Sequence, residues 1–371
     1  MRRTVIVLAT ALVLAVMPTL AHAAPGDTVP GTVTHSEPLP SELSLPGAAA
    51  AYRLTYNTLG IGEQPATSTG AVFVPEGAAP EGGWPILSWA HGTVGLGDDC
   101  APSEHPRTPR DSAYLSHWLD EGYAVVATDY VGLGTPGLHP YLDGDVAAHS
   151  VIDMVRAGRA VVPELSNKWM AIGQSQGGHA AVYTAHEATS YAPELDFRGA
   201  VATGAPSNLE HLFPFGDPAF PEIGLDGLTT FSTYILAGMR EADPGLDVNS
   251  YLTPRGRELV DSARTLCYDD QAERVAGVSV GALLSRSLNN PEFRGAITNY
   301  LAVPTTGYDR PLFLGQGLTD TVVPAPLSFA LAPQLLAGGA DVTYRTYPTD
   351  HNGTMAASLP DSTPFVAGAM R

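Results

Sequence analysis

The stretch Trp169-Met170-Ala171-Ile172-Gly173-Gln174-Ser175-Gln176-Gly177-Gly178 restricts what this chain can fold into more than any other. Gly173 to Gly177 form a G-x-S-x-G pattern. The apolar run before it, 169–172, reads as a buried strand. The small-residue run after it, 178–185, reads as a helix. A strand that turns sharply into a helix at a serine is the context that makes this pattern a nucleophile elbow. The serine at its tip must adopt a strained backbone. Glycines two before and two after remove the Cβ atoms that would collide as strand and helix converge. The alternative is a serine in an ordinary tight turn, which needs neither flanking element.

A serine hydroxyl is a weak nucleophile at neutral pH. It needs a histidine to take its proton and a carboxylate to hold that histidine in the useful tautomer. The chain supplies both after Ser175, in the Ser, Asp, His order of α/β-hydrolases. Gly317-Leu318-Thr319-Asp320 follows the apolar run 311–317, and Asp350-His351-Asn352-Gly353 follows the alternating run 342–347. Ser175, Asp320 and His351 are thus expected just beyond strand ends, on one edge of a sheet. Asp350 is a poor rival, because sequence neighbours rarely aim at one hydrogen bond. Asp129 precedes the serine and breaks the order. His179 sits on the helix after the elbow and should point away. His139, His149, His186 and His211 have no strand-end context.

The run Trp84–Ala90 reads as a buried strand and ends in His91-Gly92-Thr93. A histidine-glycine turn there is where this class of enzyme builds part of an oxyanion hole from backbone N–H groups. The expected donors are the N–H of Gln176 and that of Gly92 or Thr93; a plain strand-to-loop turn would use the same glycine. His91 reads as a loop-orienting residue rather than a base. The Gln176 side chain has no assigned role. Tyr130, in the loop after the strand 123–129, either lines an acyl pocket or covers the strand end.

Residues 24–50 read as an extended arm, and 51–58 with 66–74 as an antiparallel hairpin. Helical patterns at 113–121, 147–162, 177–187 and 325–336 alternate with strand patterns, Pro333 being a kink point in the last. A weak terminal helix is expected within 353–371. This alternation predicts an α/β fold, a mostly parallel sheet with helices on both faces. It stops between 207 and 308. There the helical pieces 227–239, 259–263 and 278–288 read as a cap inserted between two parts of one core, 51–206 and 309–371. Phe231, Tyr234 and Ile235 either form an acyl pocket or pack against the core.

Residues 1–23 carry a short basic start, an apolar run and a small-x-small end, as in a secretory signal peptide. The formal charge is −19 for the whole chain and −21 without Arg2 and Arg3. So acidic a surface should repel nucleic acid and anionic membranes. The two cysteines, Cys100 and Cys267, read as a disulfide rather than free thiols in an exported chain. It would close a loop of 166 residues, with a loop-entropy contribution of about 5 kcal/mol as an upper figure, and tie the cap to the rim of the site. No H-E-x-x-H or G-x-x-x-x-G-K-[ST] pattern is present, so no metal and no cofactor are expected.

The assembled motifs resemble the secretory lipase family, the lipase A-like branch of the α/β-hydrolases. The resemblance is carried by 90–103, 129–134, Gly173–Gly178, Gly315–Pro324 and Asp350–Gly353. It implies a secreted ester hydrolase with a helical cap, a Ser175-Asp320-His351 triad and an acyl-enzyme intermediate. It further implies a small-molecule or lipid ester as substrate, acylglycerols included, and transient contact with a lipid interface. A peptidase or amidase, an acyltransferase on the same scaffold, and a non-catalytic binding protein are the competing readings.

Overall fold

A computed structural model describes residues 28–223 and 227–371; the expected signal peptide lies outside them. The described chain opens with three antiparallel strands, β1 (Val33–Pro38), β2 (Ala48–Leu59) and β3 (Pro65–Pro75). The hairpin read from sequence is β2–β3. The 24–50 arm also contributes a strand, β1, which pairs with β2 alone and is mostly exposed, so it carries no apolar alternation to read. Next come β4 (Trp84–Ala90), α1 (Pro109–Asp120), β5 (Ala124–Thr128), α2 (Gly144–Val161), β6 (Leu165–Gln174), α3 (Gln176–Tyr191) and β7 (Asp196–Thr203). Five α-helices follow: α4 (Leu228–Ala242), α5 (Pro254–Ser262), α6 (Tyr268–Arg274), α7 (Val280–Leu283) and α8 (Pro291–Leu301). The chain closes with β8 (Leu312–Gly317), α9 (Ala325–Ala337), β9 (Val342–Tyr347) and α10 (Thr354–Ala369).

The strands form one sheet in the order β1-β2-β3-β5-β4-β6-β7-β8-β9. Pairing is antiparallel as far as β3–β5 and parallel from there to β9. From β4 the chain moves to β5 on one side and then to β6 on the other. That reversal is a topological switch point, where the loops at the carboxyl ends of the strands diverge and leave a crevice. The His91-Gly92 turn and the Ser175 elbow are the loops that diverge there.

Alternate residues of each strand face opposite cores, as the period of two requires. Ile86, Trp169, Ala171 and Leu314 pack with α2, α3 and α9 on one face. Leu87, Trp89, Met170, Ile172 and Phe313 pack with α1 and α10 on the other. The helices between β7 and β8 have their own apolar cluster, with Tyr234, Leu236, Tyr251, Leu259, Phe293 and Ile297 at its centre. Leu138 and Tyr141, from the loop before α2, join it. Two of these helices, α6 and α8, are absent from the sequence expectations. The signal for α8 was present: Asn290 caps it by accepting from Phe293 N, Pro291 takes its first position, and Phe293, Ile297 and Leu301 are buried at four-residue spacing. The helix expected over 278–288 shrinks to the single turn of α7.

Candidate active site

Ser175 sits between β6 and α3 with φ +59° and ψ −124°, a conformation that side-chain-bearing residues rarely adopt. Its surroundings hold it there. Its N–H donates to Thr203 O at 2.9 Å, and its carbonyl accepts from His179 N at 3.0 Å. A Cβ on Gly173 would lie 2.0 Å from Gly177 O, and one on Gly177 would lie 1.8 Å from Ala90 O. Strand, helix and the end of β4 therefore converge only because these positions are glycine. A second G-x-S-x-G, Gly277 to Gly281, shows what the pattern does without that setting. Ser279 there has φ −73° and ψ 158° and caps α7 by accepting from Ala282 N.

The helix after Ser175 starts without a side-chain cap. The helices α1, α2, α5 and α8 are capped by Thr108, Asp143, Thr253 and Asn290. The first N–H groups of α3 have no intrahelical acceptor, and Gln176, the first of them, follows Ser175 directly. Across the crevice, a Cβ on Gly92 would lie 3.7 Å from Ser175 Cβ, so the His91-Gly92 turn packs directly on the elbow. The Thr93 hydroxyl bonds to Tyr141 OH at 2.7 Å.

Asp320 and His351 meet. His351 Nδ1 is 2.7 Å from Asp320 Oδ2, and both side chains are buried. Asp320 Oδ1 accepts from Val322 N at 2.9 Å and Val323 N at 2.7 Å, and Oδ2 also accepts from Gln316 Nε2 at 3.2 Å. Gln174 Nε2 donates to His351 O at 3.3 Å. The imidazole packs on Gly204, where a Cβ would lie 3.1 Å from its Cε1. Gly204 follows Thr203, which accepts the Ser175 N–H, so Ser175, Asp320 and His351 gather around the ends of β6, β7, β8 and β9.

Asp129, His91 and His179 are placed elsewhere. Asp129 accepts from Thr69 Oγ1 at 2.8 Å and Ser103 N at 2.9 Å. His91 is buried, with Nδ1 at Gly92 O and Nε2 at Asp129 O; burial pushes its pKa down. His179 packs on Tyr183, and burial holds it at about 3. Of the residues proposed for substrate, Phe231 lines the cavity beside Ser175. Tyr130 and Tyr234 do not face it. Tyr130 is fully buried and donates its hydroxyl to His91 O at 3.0 Å, which makes it a support of the turn. Tyr234 is buried in the helical cluster, its ring against Tyr141. The sequence reading missed His139, which bonds the Gln176 side chain at 2.7 Å; nothing in the local pattern around residue 139 points to it.

Cys100 and Cys267 form a disulfide. Around it, Tyr268 N donates to Val94 O at 2.8 Å, and a Cβ on Gly95 would lie 2.6 Å from Cys267 Cα. The loop that follows the His91-Gly92 turn is thus fastened, covalently and by close backbone contact, to the segment between α5 and α6.

Ser175 opens into a cavity of about 440 Å³. Its walls come from Leu209, Phe213, Phe231, Ile235, Val323 and Leu327 among others, and among the described residues none of those lining it is charged. The other two hydroxyls in the wall are turned to partners, Tyr141 to Thr93 and Ser232 to Leu228 O. Residues 102–363 match the sequence profile of the secretory lipases. The chain belongs to the secretory lipase family. A probable inactive lipase of Mycobacterium tuberculosis (strain CDC 1551 / Oshkosh) is 29% identical over 346 residues, 85% of this chain and 73% of that protein. Lipase A of Moesziomyces aphidis is 25% identical over 349 residues, 87% of this chain and 72% of that one. The fold is similar to that of Candida antarctica lipase A in its closed state, with a TM-score of 0.76 at 23% identity over 93% of this chain and 83% of the other. This secretory lipase therefore has the α/β-hydrolase fold, and it is a serine ester hydrolase. Membership of a secretory family accords with an extracellular location.

Proposed function

We propose that this chain hydrolyses lipid esters whose acyl chain lies in the cavity beside Ser175. In this reading Ser175 Oγ attacks the ester carbonyl while His351 Nε2 takes its proton. Asp320 holds Nδ1–H of His351 and so keeps Nε2 free to accept. The N–H of Gln176 and that of Gly92 or Thr93 receive the oxyanion. The tetrahedral intermediate collapses, His351 returns the proton to the leaving alcohol, and an acyl-Ser175 ester remains. Water, deprotonated by His351, then releases the acid. Residues 1–23 are removed on export, and 207–308 act as a cap that supplies most of the acyl site.

The observation that carries the substrate class is the lining of the cavity. A wall of aliphatic and aromatic carbon favours an alkyl chain, and the lack of a charged lining residue among those described disfavours a peptide terminus. Each methylene moved from water into such a wall contributes up to about 0.8 kcal/mol. For p-nitrophenyl esters, kcat/KM is expected to rise at least about tenfold from acetyl to octanoyl, well below the sum of methylene contributions. A flat or falling series would refute an acyl role for the cavity.

The mouth of the cavity supports transient contact with a lipid surface. Leu212, Phe215 and Ile223 line it, yet remain 45%, 69% and 49% exposed. Exposed apolar side chains gathered at one opening mark an interaction site more than a random surface does. Phe215→Ser is expected to lower the ratio of activity on emulsified triacylglycerol to activity on a soluble short ester by about tenfold. An unchanged ratio would remove Phe215 from the interface.

A further inference from the structure

Gln176 has two attachments in this fold. Its backbone N–H heads α3 beside Ser175, and its side chain meets His139. The contact joins Gln176 Nε2 to His139 Nε2 at 2.7 Å, and both residues are buried. The other imidazole nitrogen, Nδ1, faces Val131 O at 2.9 Å. A carbonyl only accepts, so Nδ1 carries the proton. His139 Nε2 is then a lone pair, and the Gln176 amide N–H donates to it. Burial pushes the His139 pKa down to about 4, which keeps the ring neutral and this polarity fixed near neutral pH.

The ring is itself held. It stacks on Tyr130 at 5.5 Å and meets Tyr141 edge-on at 6.4 Å. Tyr130 in turn donates to His91 O, on the opposite wall of the crevice. The loop that carries His139 runs between two left-handed non-glycine residues, Tyr130 (φ +69°) and Leu142 (φ +64°). It also folds back on itself at Gly132, where a Cβ would lie 2.3 Å from His139 N. Of the five non-glycine residues with positive φ among those described, three are Tyr130, Leu142 and Ser175. Each such residue costs on the order of 1 kcal/mol and persists where packing over-determines it. The strained backbone is thus concentrated on the elbow and on the loop that buttresses it.

We propose that His139 is a positioning residue for ester hydrolysis: by accepting from the Gln176 side chain it fixes the first residue of α3 and aims the Gln176 backbone N–H at the oxyanion. This rests on the reading of Ser175 given above. The effect belongs to the transition state, because the N–H must meet the oxyanion rather than the ground-state carbonyl. Removing an oxyanion donor outright costs about 10²- to 10³-fold in kcat, so loosening one should cost about tenfold.

The test compares His139→Leu, His139→Gln, Gln176→Leu and the His139→Leu/Gln176→Leu double variant on a soluble ester. Each is checked for folding by thermal denaturation and for Ser175 labelling with an organophosphonate. His139→Leu is expected to lower kcat about tenfold with KM within about twofold. His139→Gln keeps an acceptor for the same N–H and should return kcat to within about threefold of wild type. The double variant should be no slower than the slower single, since both act through one N–H. An unchanged kcat in His139→Leu, a change in KM alone, or a His139→Gln as slow as His139→Leu would overturn the inference. If His139→Leu does not fold, His139→Gln against Gln176→Leu decides: the first should approach wild type and the second should lose about tenfold, and equal rates overturn it. Wild-type hydrolysis without labelling of Ser175 would sink the Ser175 reading and this inference with it. A labelled wild type with an unaffected His139→Leu sinks this inference alone.

Discussion

Ser175→Ala is expected to lower kcat for ester hydrolysis by about 10⁴- to 10⁶-fold while leaving the fold intact. The size follows from what remains. Alanine keeps the backbone hydrogen bonds of the elbow, to Thr203 O and from His179 N, and adds no atom to a site crowded by Gly173 and Gly177. Only the hydroxyl goes. Without it no acyl-enzyme forms, and the residual rate is that of water attacking an ester held near backbone N–H groups. The check is a burst experiment with a p-nitrophenyl ester on protein shown to be folded by circular dichroism. A burst of up to one equivalent is expected in the wild type where deacylation is slower than acylation, and it should vanish in the variant. Hydrolysis within roughly tenfold of wild type would reject Ser175 as nucleophile, because losing a triad nucleophile costs far more. The kinship to a probable inactive lipase gives the wild-type measurement its own weight: absence of both burst and turnover would revive a binding role on a hydrolase scaffold.

What could be read from the sequence, and what could not, divides along a physical line. Ser175, Asp320 and His351 each follow a strand whose apolar or alternating run is visible in the chain and ends at glycine or a turn. The sheet then collects such ends on one edge, so one-dimensional signals are enough to find them. The switch point between β4 and β6 is not readable this way, because alternation does not give the order in which strands pair. His139 gives no such signal. It lies in an irregular loop between β5 and α2, and it becomes relevant only because that loop folds under α3. Tyr130 and Tyr234 were open between pocket and packing for a related reason, and both pack: aromatic content marks burial, but whether a ring faces a cavity or a neighbouring ring depends on loops far apart in sequence. The stretch 207–308 was least legible. Its helices are short, their apolar residues face one another rather than the sheet, and the seven-residue α6 is too short to show a period. The Cys100–Cys267 bridge was expected from compartment and count, whereas the contact that gives it meaning, Gly95 against Cys267, exists only in three dimensions.

Asp320→Asn tests the part of the site where one proton decides the outcome, and it should cost about 10⁴-fold in kcat, close to 5.5 kcal/mol of barrier. The substitution changes almost no volume, so the effect must come from hydrogen-bond polarity. Asp320 Oδ1 accepts from the N–H groups of Val322 and Val323, and only an oxygen can replace it there. The amide NH₂ of asparagine is therefore driven to the Oδ2 position, 2.7 Å from His351 Nδ1. Two donors cannot share that contact. His351 is forced to put its proton on Nε2 and present a lone pair at Nδ1, and the nitrogen meant to receive the Ser175 proton is then already protonated. Gln316 Nε2, which donates to Oδ2 at 3.2 Å, meets the same NH₂ and adds to the conflict. The measurement is the pre-steady-state acylation rate of Ser175, with KM for a soluble ester as control. Acylation should collapse while KM moves little, since the cavity wall is untouched. A rate within tenfold of wild type would mean that Asp320 only anchors its loop through Val322 and Val323, and that His351 takes its tautomer from another source.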